Sequence, residues 1–394
     1  MKTLNSGIFY FVLAAFSVLE GVFPDPVLAA TTEGLPHVRY YGDIELVHTF
    51  NGPMPTGVTV SRSGRIFVNF PQWGDEPNYA VVELTDGKLV PYPDMATNTF
   101  EIEKPHSGFI SVQSVIADGQ NHLWVLDTAA PGFQPPIQGG AKLVEIDLAT
   151  NKVIANHVFP PDVILPTTYV NDMRFDFRVG KAGVVYVTDS SLSGPGAIIV
   201  MDLATGTALR RLSGDSSTAP DPNFIPVVEG VNMVSRGADG KISPFRVASD
   251  GIALSPDGDT LYFSALSSRR LYAVPTALLR DPNISEEQLS RAVMDIGEKG
   301  ASDGLEADAN GAIYASDYEH NGIRKRLPDG QWQTLVHDPR VLWPDTLSIG
   351  TDGYLYFIVN QLHRQPVFHG GNDLRDRPYS LFRIEIEALP APTR

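Results

Sequence analysis

The stretches DGIALSPDGDTLYFSAL (250–266) and DTLSIGTDGYLYFIVN (345–360) follow one plan: a polar residue, a short apolar strand, a Gly-containing turn and a second apolar strand. Apolar and polar residues alternate with the period of two that sends successive side chains to opposite faces of a strand. Gly in each turn, often as Asp-Gly or Asn-Gly, is a hairpin signal. Four more copies precede or separate these two: TGVTVSRSGRIFVNF from Thr56, QSVIADGQNHLWVLD from Gln113, DMRFDFRVGKAGVVYVTD from Asp172 and DGLEADANGAIYASD from Asp303. The six start positions lie 57, 59, 78, 53 and 42 residues apart.

Between the copies lie further short apolar strands, such as AKLVEIDL (141–148), GAIIVMDL (196–203) and RRLYAVPT (269–276). Six four-stranded units of this size predict an all-β, six-bladed β-propeller. Nearly continuous apolar inner strands fit blades that are covered on both faces. Ring closure predicts that IELVHTF (44–50) pairs with SLFRIEI (380–386), hiding two open edges. The long interval holds Ser213–Ser249, rich in Ser, Pro, Gly and Asp, which reads as a long loop or extra hairpin over one face. Ser285, with Gln288 three residues on, is a capping-box pattern and predicts a short helix on the outside.

The 394 residues carry 30 Lys plus Arg against 46 Asp plus Glu, a net charge of −16, and no cysteine. Disulfides and cysteine nucleophiles are excluded, and a nucleic-acid partner would need a basic face that this balance does not offer. Residues 1–30 pair Lys2 with an apolar run from Ile8 to Leu19 and end in Val27-Leu28-Ala29-Ala30, the pattern of a signal peptide. The expectation is a secreted or periplasmic chain with one propeller domain over 31–394. No later apolar run is long enough to span a membrane. HExxH, P-loop and GxGxxG patterns are absent.

The residues that open the copies are Thr56, Gln113, Asp172, Asp250, Asp303 and Asp345, with Asn171 beside Asp172. In a propeller the starts of the inner strands converge on one mouth of the central channel, so four aspartates are predicted around one axis. The structural alternative is that each Asp before Gly merely shapes a turn. Two carboxylates about 5 Å apart repel by about 3 kcal/mol at an effective dielectric near 20. Such a cluster needs a proton, a basic side chain, a metal ion or a cationic ligand. Oxygen-only donors point to calcium or another divalent cation rather than zinc. Asn171, Asp250 and Asp303 are the candidate metal ligands. Asn171, Asp172, Asp303, Trp343, Asp345 and Asn360 are the candidate contacts for a small-molecule ligand. If the protein is an enzyme, Asp250 or Asp303 is the expected base. Trp343, Tyr169, Phe70, Tyr318 and Phe357 are aromatics that either pack between blades or stack on an amine. His363 and His369 read as loop or surface residues.

These stretches resemble the Yellow/major royal jelly protein family. The resemblance runs through SVIADGQNHLWVLDT (114–128), YVNDMRFD (169–176), YVTDSS (186–191) and SDGIALSPDGDTLYFSALSSRRLYAVPT (249–276). It continues in SDGLEADANGAIYASD (302–317) and LWPDTLSIGTDGYLYFIVNQLHR (342–364). It implies a secreted six-bladed propeller with a central ligand pocket; family members are linked to pigmentation, dopachrome conversion or biogenic-amine binding. A more distant resemblance is to gluconolactonase/regucalcin propellers, whose metal is held by a Glu, two Asn and an Asp. Carried over, those positions fall on Pro55 or Thr56, on Asn171, on Asp250 and on Asp303, so the Glu has no counterpart here. Three readings stay open: a binding propeller for an aromatic amine, catechol or similar molecule; a divalent-metal-dependent lactonase-like hydrolase or dopachrome-type tautomerase; and an interaction propeller with no pocket chemistry.

Overall fold

Each repeat becomes the two innermost strands of a sheet, and the intervening segments supply the outer two. The computed structural model describes residues 39–75, 79–99, 105–237 and 240–394, so the signal peptide expected over residues 1–30 lies outside the described residues. Six four-stranded antiparallel sheets form, and their inner strands define blades 1 to 6: Gly57–Val60, Val112–Ala117, Val170–Asp176, Ser249–Leu254, Leu305–Ala307 and Pro344–Ile349. Each inner strand packs on the next, and that of blade 6 packs back on blade 1, which closes a six-bladed propeller.

Closure follows the expected pairing. Glu45–Phe50 is the outer strand of blade 6, antiparallel to Tyr379–Glu385, with Phe50 opposite Tyr379 and Glu45 opposite Arg383. Strands that bury both faces explain the apolar runs: Val184–Asp189 is buried throughout, and Tyr354–Val359 is buried except at its first residue. Leu126, Trp124, Phe175 and Val185 fill the seam between blades 2 and 3, and Tyr314, Leu347 and Phe357 that between blades 5 and 6. Phe50, Val58, Phe70 and Ile358 fill the closing seam. Burying one such side chain contributes about 1.5–3 kcal/mol. Phe70 and Phe357 are thereby seam residues rather than ligand contacts.

The insertion 213–249 folds into two small hairpins, Val227–Val228 with Val231–Asn232 and Val234–Arg236 with Ile242–Pro244. The helix predicted at Ser285 is present as Glu286–Ala292, and its capping box is complete: the Ser285 hydroxyl accepts the Gln288 N–H at 3.2 Å and Gln288 Oε1 accepts the Ser285 N–H at 3.1 Å. Leu289 is buried against blades 3 and 4, and Glu286 pairs with Arg211, so the helix is docked rather than merely decorative.

Candidate functional site

The inner strands begin irregularly, and the irregularity aims the site. Ladder register shifts fall at Val112/Ser114, Val170/Met173, Ser249/Ile252 and Pro344/Leu347. Gln113, Asn171, Asp172, Asp250 and Asp345 sit inside these bulges, which turn side chains out of the regular pleat. Gly251 and Gly304, which follow two of the aspartates, have no positive φ. A Cβ on Gly251 would run into the Asp303 carbonyl, and one on Gly304 into that of Asp345. The glycines therefore serve close contact between blades, and Asp250 and Asp303 are not turn-makers. The turn-makers are Asp118 and Asp308, whose carboxylates accept backbone N–H groups of Gln120 and His122, and of Asn310 and Ala312.

At this mouth, the front mouth, Asp172, Asp250, Asp303 and Asp345 are all buried with a small exposed remnant. Asp172 has a basic partner: Arg174 lies 3.1 Å from both its oxygens, and the Ser114 hydroxyl donates to it at 2.9 Å. The other three have neutral donors only. Asn171 Nδ2 and the Ser190 hydroxyl donate to the two oxygens of Asp250 at 2.9 and 2.8 Å. Trp343 Nε1 donates to Asp303 at 2.7 Å, and Asn360 Nδ2 to Asp345 at 2.6 Å. Among the described residues no lysine or arginine pairs with these three. Burial pushes the Asp250 carboxyl well above the usual carboxylate range, and the charge of Asp303 pushes it further. Burial raises Asp303 to about 6, and Asp250 and Asp303 act on each other directly. Asp345 is raised by burial and then by Asp303 and Asp250. Nearby Lys299 is fully buried, bonds among the described residues to the carbonyls of Gly300 (3.0 Å) and Ser268 (3.5 Å), and is lowered to about 7 by burial.

Trp343 offers an N–H and not a ring face. It stacks on Tyr318 at 4.0 Å and lies 6.0 Å from His363, nearly parallel to it. Phe224, Met233 and Phe245 of the insertion pack with Tyr318, Trp343 and Phe368, so the insertion covers part of the front mouth. Its hairpin tip, Glu229, is held by His363 at 2.7 Å and Arg364 at 2.6 Å. His363 is thus a buried latch residue, not a surface one. On the other side of the mouth, Tyr169 donates its hydroxyl to axial Gln113 at 2.9 Å and accepts the Trp73 indole N–H at 2.6 Å. Phe133 lies 4.8 Å from Tyr169 and 5.0 Å from Trp73, is 40% exposed, and holds a φ of 58° that a bulky residue rarely adopts.

Sequence reasoning missed Arg174, Ser190, Trp73 and Phe133. Of a second ring of polar residues, at the ends of the second strands, it named Asn360 and missed the others. There Asp127 accepts backbone N–H groups of Ile110 and Ser111 and pairs with buried Lys142 at 2.7 Å. Asp189 does the same with Tyr169 N–H and Arg210. The available signal was the recurring polar terminus in WVLD, YVTD and FIVN.

Fold and geometry together define a six-bladed propeller with an acidic, partly covered cup at one axial mouth. The major royal jelly protein family profile matches residues 110–393, nearly three quarters of the chain. The chain belongs to that family. It is 29% identical over 253 residues to protein yellow of Drosophila erecta, covering 59% of this chain and 43% of that protein. It is 25% identical over 237 residues to major royal jelly protein 1 of Apis mellifera, covering 57% and 51%. The chain spans about half the length of the curated relatives it matches. Among solved structures, one assigned as a gluconolactonase matches with a TM-score of 0.52 at 14% identity, over 89% of this chain and 93% of that one. A luciferin-regenerating enzyme matches with 0.51 at 11%, over 89% and 98%. These likenesses are of fold.

Proposed function

We propose that this protein is a small-molecule-binding propeller that takes an aromatic amine or a similar cationic ligand at the front mouth. We also propose that it acts outside the cytoplasm, secreted or periplasmic, after loss of residues 1–30. The observation that supports the binding reading is the trio Asp250, Asp303 and Asp345: three buried carboxylates with raised proton affinity whose hydrogen-bond donors, among the described residues, are neutral. A bound cation relieves their mutual repulsion in a setting where charge interactions are strong. The Trp73–Phe133–Tyr169 stack beside Gln113 favours a ligand that carries a ring. Calorimetric titration with tyramine tests this. Asp345→Asn should weaken binding about tenfold or more, the value of a charged hydrogen bond. Equal affinity in the variant would sink the site.

A second reading is an enzyme: a divalent-metal-dependent lactonase-like hydrolase or a dopachrome-type tautomerase. It is favoured by the Asp250–Asp303 pair, because a carboxyl near 6 is poised to take and return a proton close to neutrality. The all-oxygen donors Asn171, Asp250 and Asp303 match the hardness of calcium. Their geometry fits less well. Asn171 turns its N–H to Asp250, both Asp250 oxygens already accept hydrogen bonds, and among the described residues no group of three His, Cys, Asp or Glu is arranged to hold a metal. Titrating calcium into wild type and Asp303→Ala discriminates the readings: tight binding lost in the variant favours the metal enzyme.

A further inference from the structure

A cavity of about 780 Å³ opens at the other end of the channel, where the inner strands finish. This is ligand-sized. All six blades contribute to it, from Thr59 in blade 1 to Ser348 in blade 6. The segment Leu389–Arg394 crosses this back mouth, tied by backbone hydrogen bonds to Ala307 (3.2 Å) and Ala309 (2.8 Å) of blade 5 and to Phe177 (2.8 Å) of blade 3.

Donors on the lining are only partly used by the protein's own acceptors. Arg174 spends its terminal nitrogens on Asp172, the Met173 carbonyl and the Leu305 carbonyl, while its Nε–H is buried and unpartnered. A buried N–H left unmet is rare and asks for a partner. The hydroxyls of Thr59 and Ser348 accept the backbone N–H groups of Ala117 (2.9 Å) and Val60 (3.1 Å), which leaves their protons free to be donated. At the rim, Arg62 commits one nitrogen to the Gly119 carbonyl at 3.2 Å, and Arg394 reaches Gln120 at 3.2 Å. Glu306 is the acid of the cavity with capacity to spare: it accepts the Ala307 N–H at 2.9 Å and stands 3.5 Å from Arg174. Asp118, also on the lining, is fully used by the turn that it makes. Three guanidinium groups around one cavity are notable in a chain of net charge −16.

We infer that the back cavity is a second binding site, separate from the acidic cup, for a small hydroxylated carboxylate of sugar-acid size. The ligand's carboxylate meets the arginines, and its hydroxyls bridge Glu306 and the hydroxyls of Thr59 and Ser348. A bare anion would be repelled by Glu306, and a neutral sugar would leave Arg62 and Arg394 without an anion. The Asp172–Arg174 pair forms the partition: it neutralises a carboxylate in front and presents its guanidinium behind.

The test is a calorimetric titration of the full chain with glucuronate, glucose and acetate as probes. Glucuronate should bind about tenfold more tightly than either of the other two. Arg62→Ala, a change at an exposed side chain, should weaken glucuronate about fivefold while leaving tyramine binding at the front unchanged. Glu306→Gln should reduce the preference for glucuronate over acetate, with folding of both variants verified by thermal melting. Asp345→Asn should leave glucuronate binding intact, which separates this site from the front one. Absence of glucuronate binding, equal binding of acetate, or indifference to both Arg62→Ala and Glu306→Gln would overturn the assignment.

Discussion

At the residue scale, the same side chain does two jobs in this protein. Asp118 and Asp308 close hairpin turns and are satisfied by local N–H groups. Asp250, Asp303 and Asp345 lie in the axial cup and are held against their own repulsion. That arrangement costs stability. Asp303 titrates near 6 in the fold against 3.8 for a free side chain, so the folded state holds its proton more tightly than the unfolded chain does. Its contribution is therefore favourable at low pH and is lost as pH rises from about 4 through about 6. Asp303→Asn should raise stability at pH 7 by about 1–3 kcal/mol and change little near pH 4, read from urea melts at the two pH values. Lys299 is the mirror case. Its lowered value means that stability is gained as pH rises from about 7 towards the free-lysine value. Lys299→Met should stabilise at pH 7 by about 0.5–2 kcal/mol, and no gain would mean that the amine has an anionic partner in solution.

At the element scale, the inner strands present polar residues to the axis because they are imperfect. A regular strand start would hide alternate residues in the blade seam, whereas the bulges turn Gln113, Asn171, Asp250 and Asp345 toward the axis. Gly304 lets the blade 5 strand press on the blade 6 strand, so Gly304→Ala should cost about 1–3 kcal/mol by overpacking and also displace Asp303. A melting curve and a tyramine titration on one sample check both effects. Lys142 and Asp127 form a buried pair that anchors the start of blade 2, and Lys142→Met would leave a carboxylate uncompensated, at about 3–5 kcal/mol. The hairpin copies that carry these elements were legible because they are local. The bulges were not, because a register shift is visible only against the partner strand.

At the scale of the whole molecule, the ring is held by Glu45–Phe50 completing the blade that ends at Tyr379–Glu385. Phe50 packs edge-on to Phe70 at 5.9 Å across the closing seam. Phe50→Ala should cost about 3–5 kcal/mol and keep a single unfolding transition, since loss of closure loosens every blade at once. Two transitions in a calorimetric scan would show that the blades unfold separately. The ring also fixes what can reach the site: the insertion covers one side of the front mouth, and Leu389–Arg394 crosses the back.

The sequence by itself determined the number of blades, the strand that closes them, the short capped helix and the set of polar residues at the axis. All of these follow from patterns within a hairpin or from one repeat laid over the next. Which carboxylate has a countercharge is set by the folded chain, because Arg174 reaches Asp172 on its own strand and the Leu305 carbonyl 131 residues away. It alone decided that Asp250 is held by Asn171, 79 residues distant, and that Asn360 reaches Pro55, 305 residues distant. It likewise turned Trp343 from a stacking surface into a hydrogen-bond donor, by covering its faces with Tyr318 and His363. Periodicity encodes which face of a strand is buried. It carries no record of what stands across the channel, where side chains from different blades meet and where the charge balance of both mouths is settled.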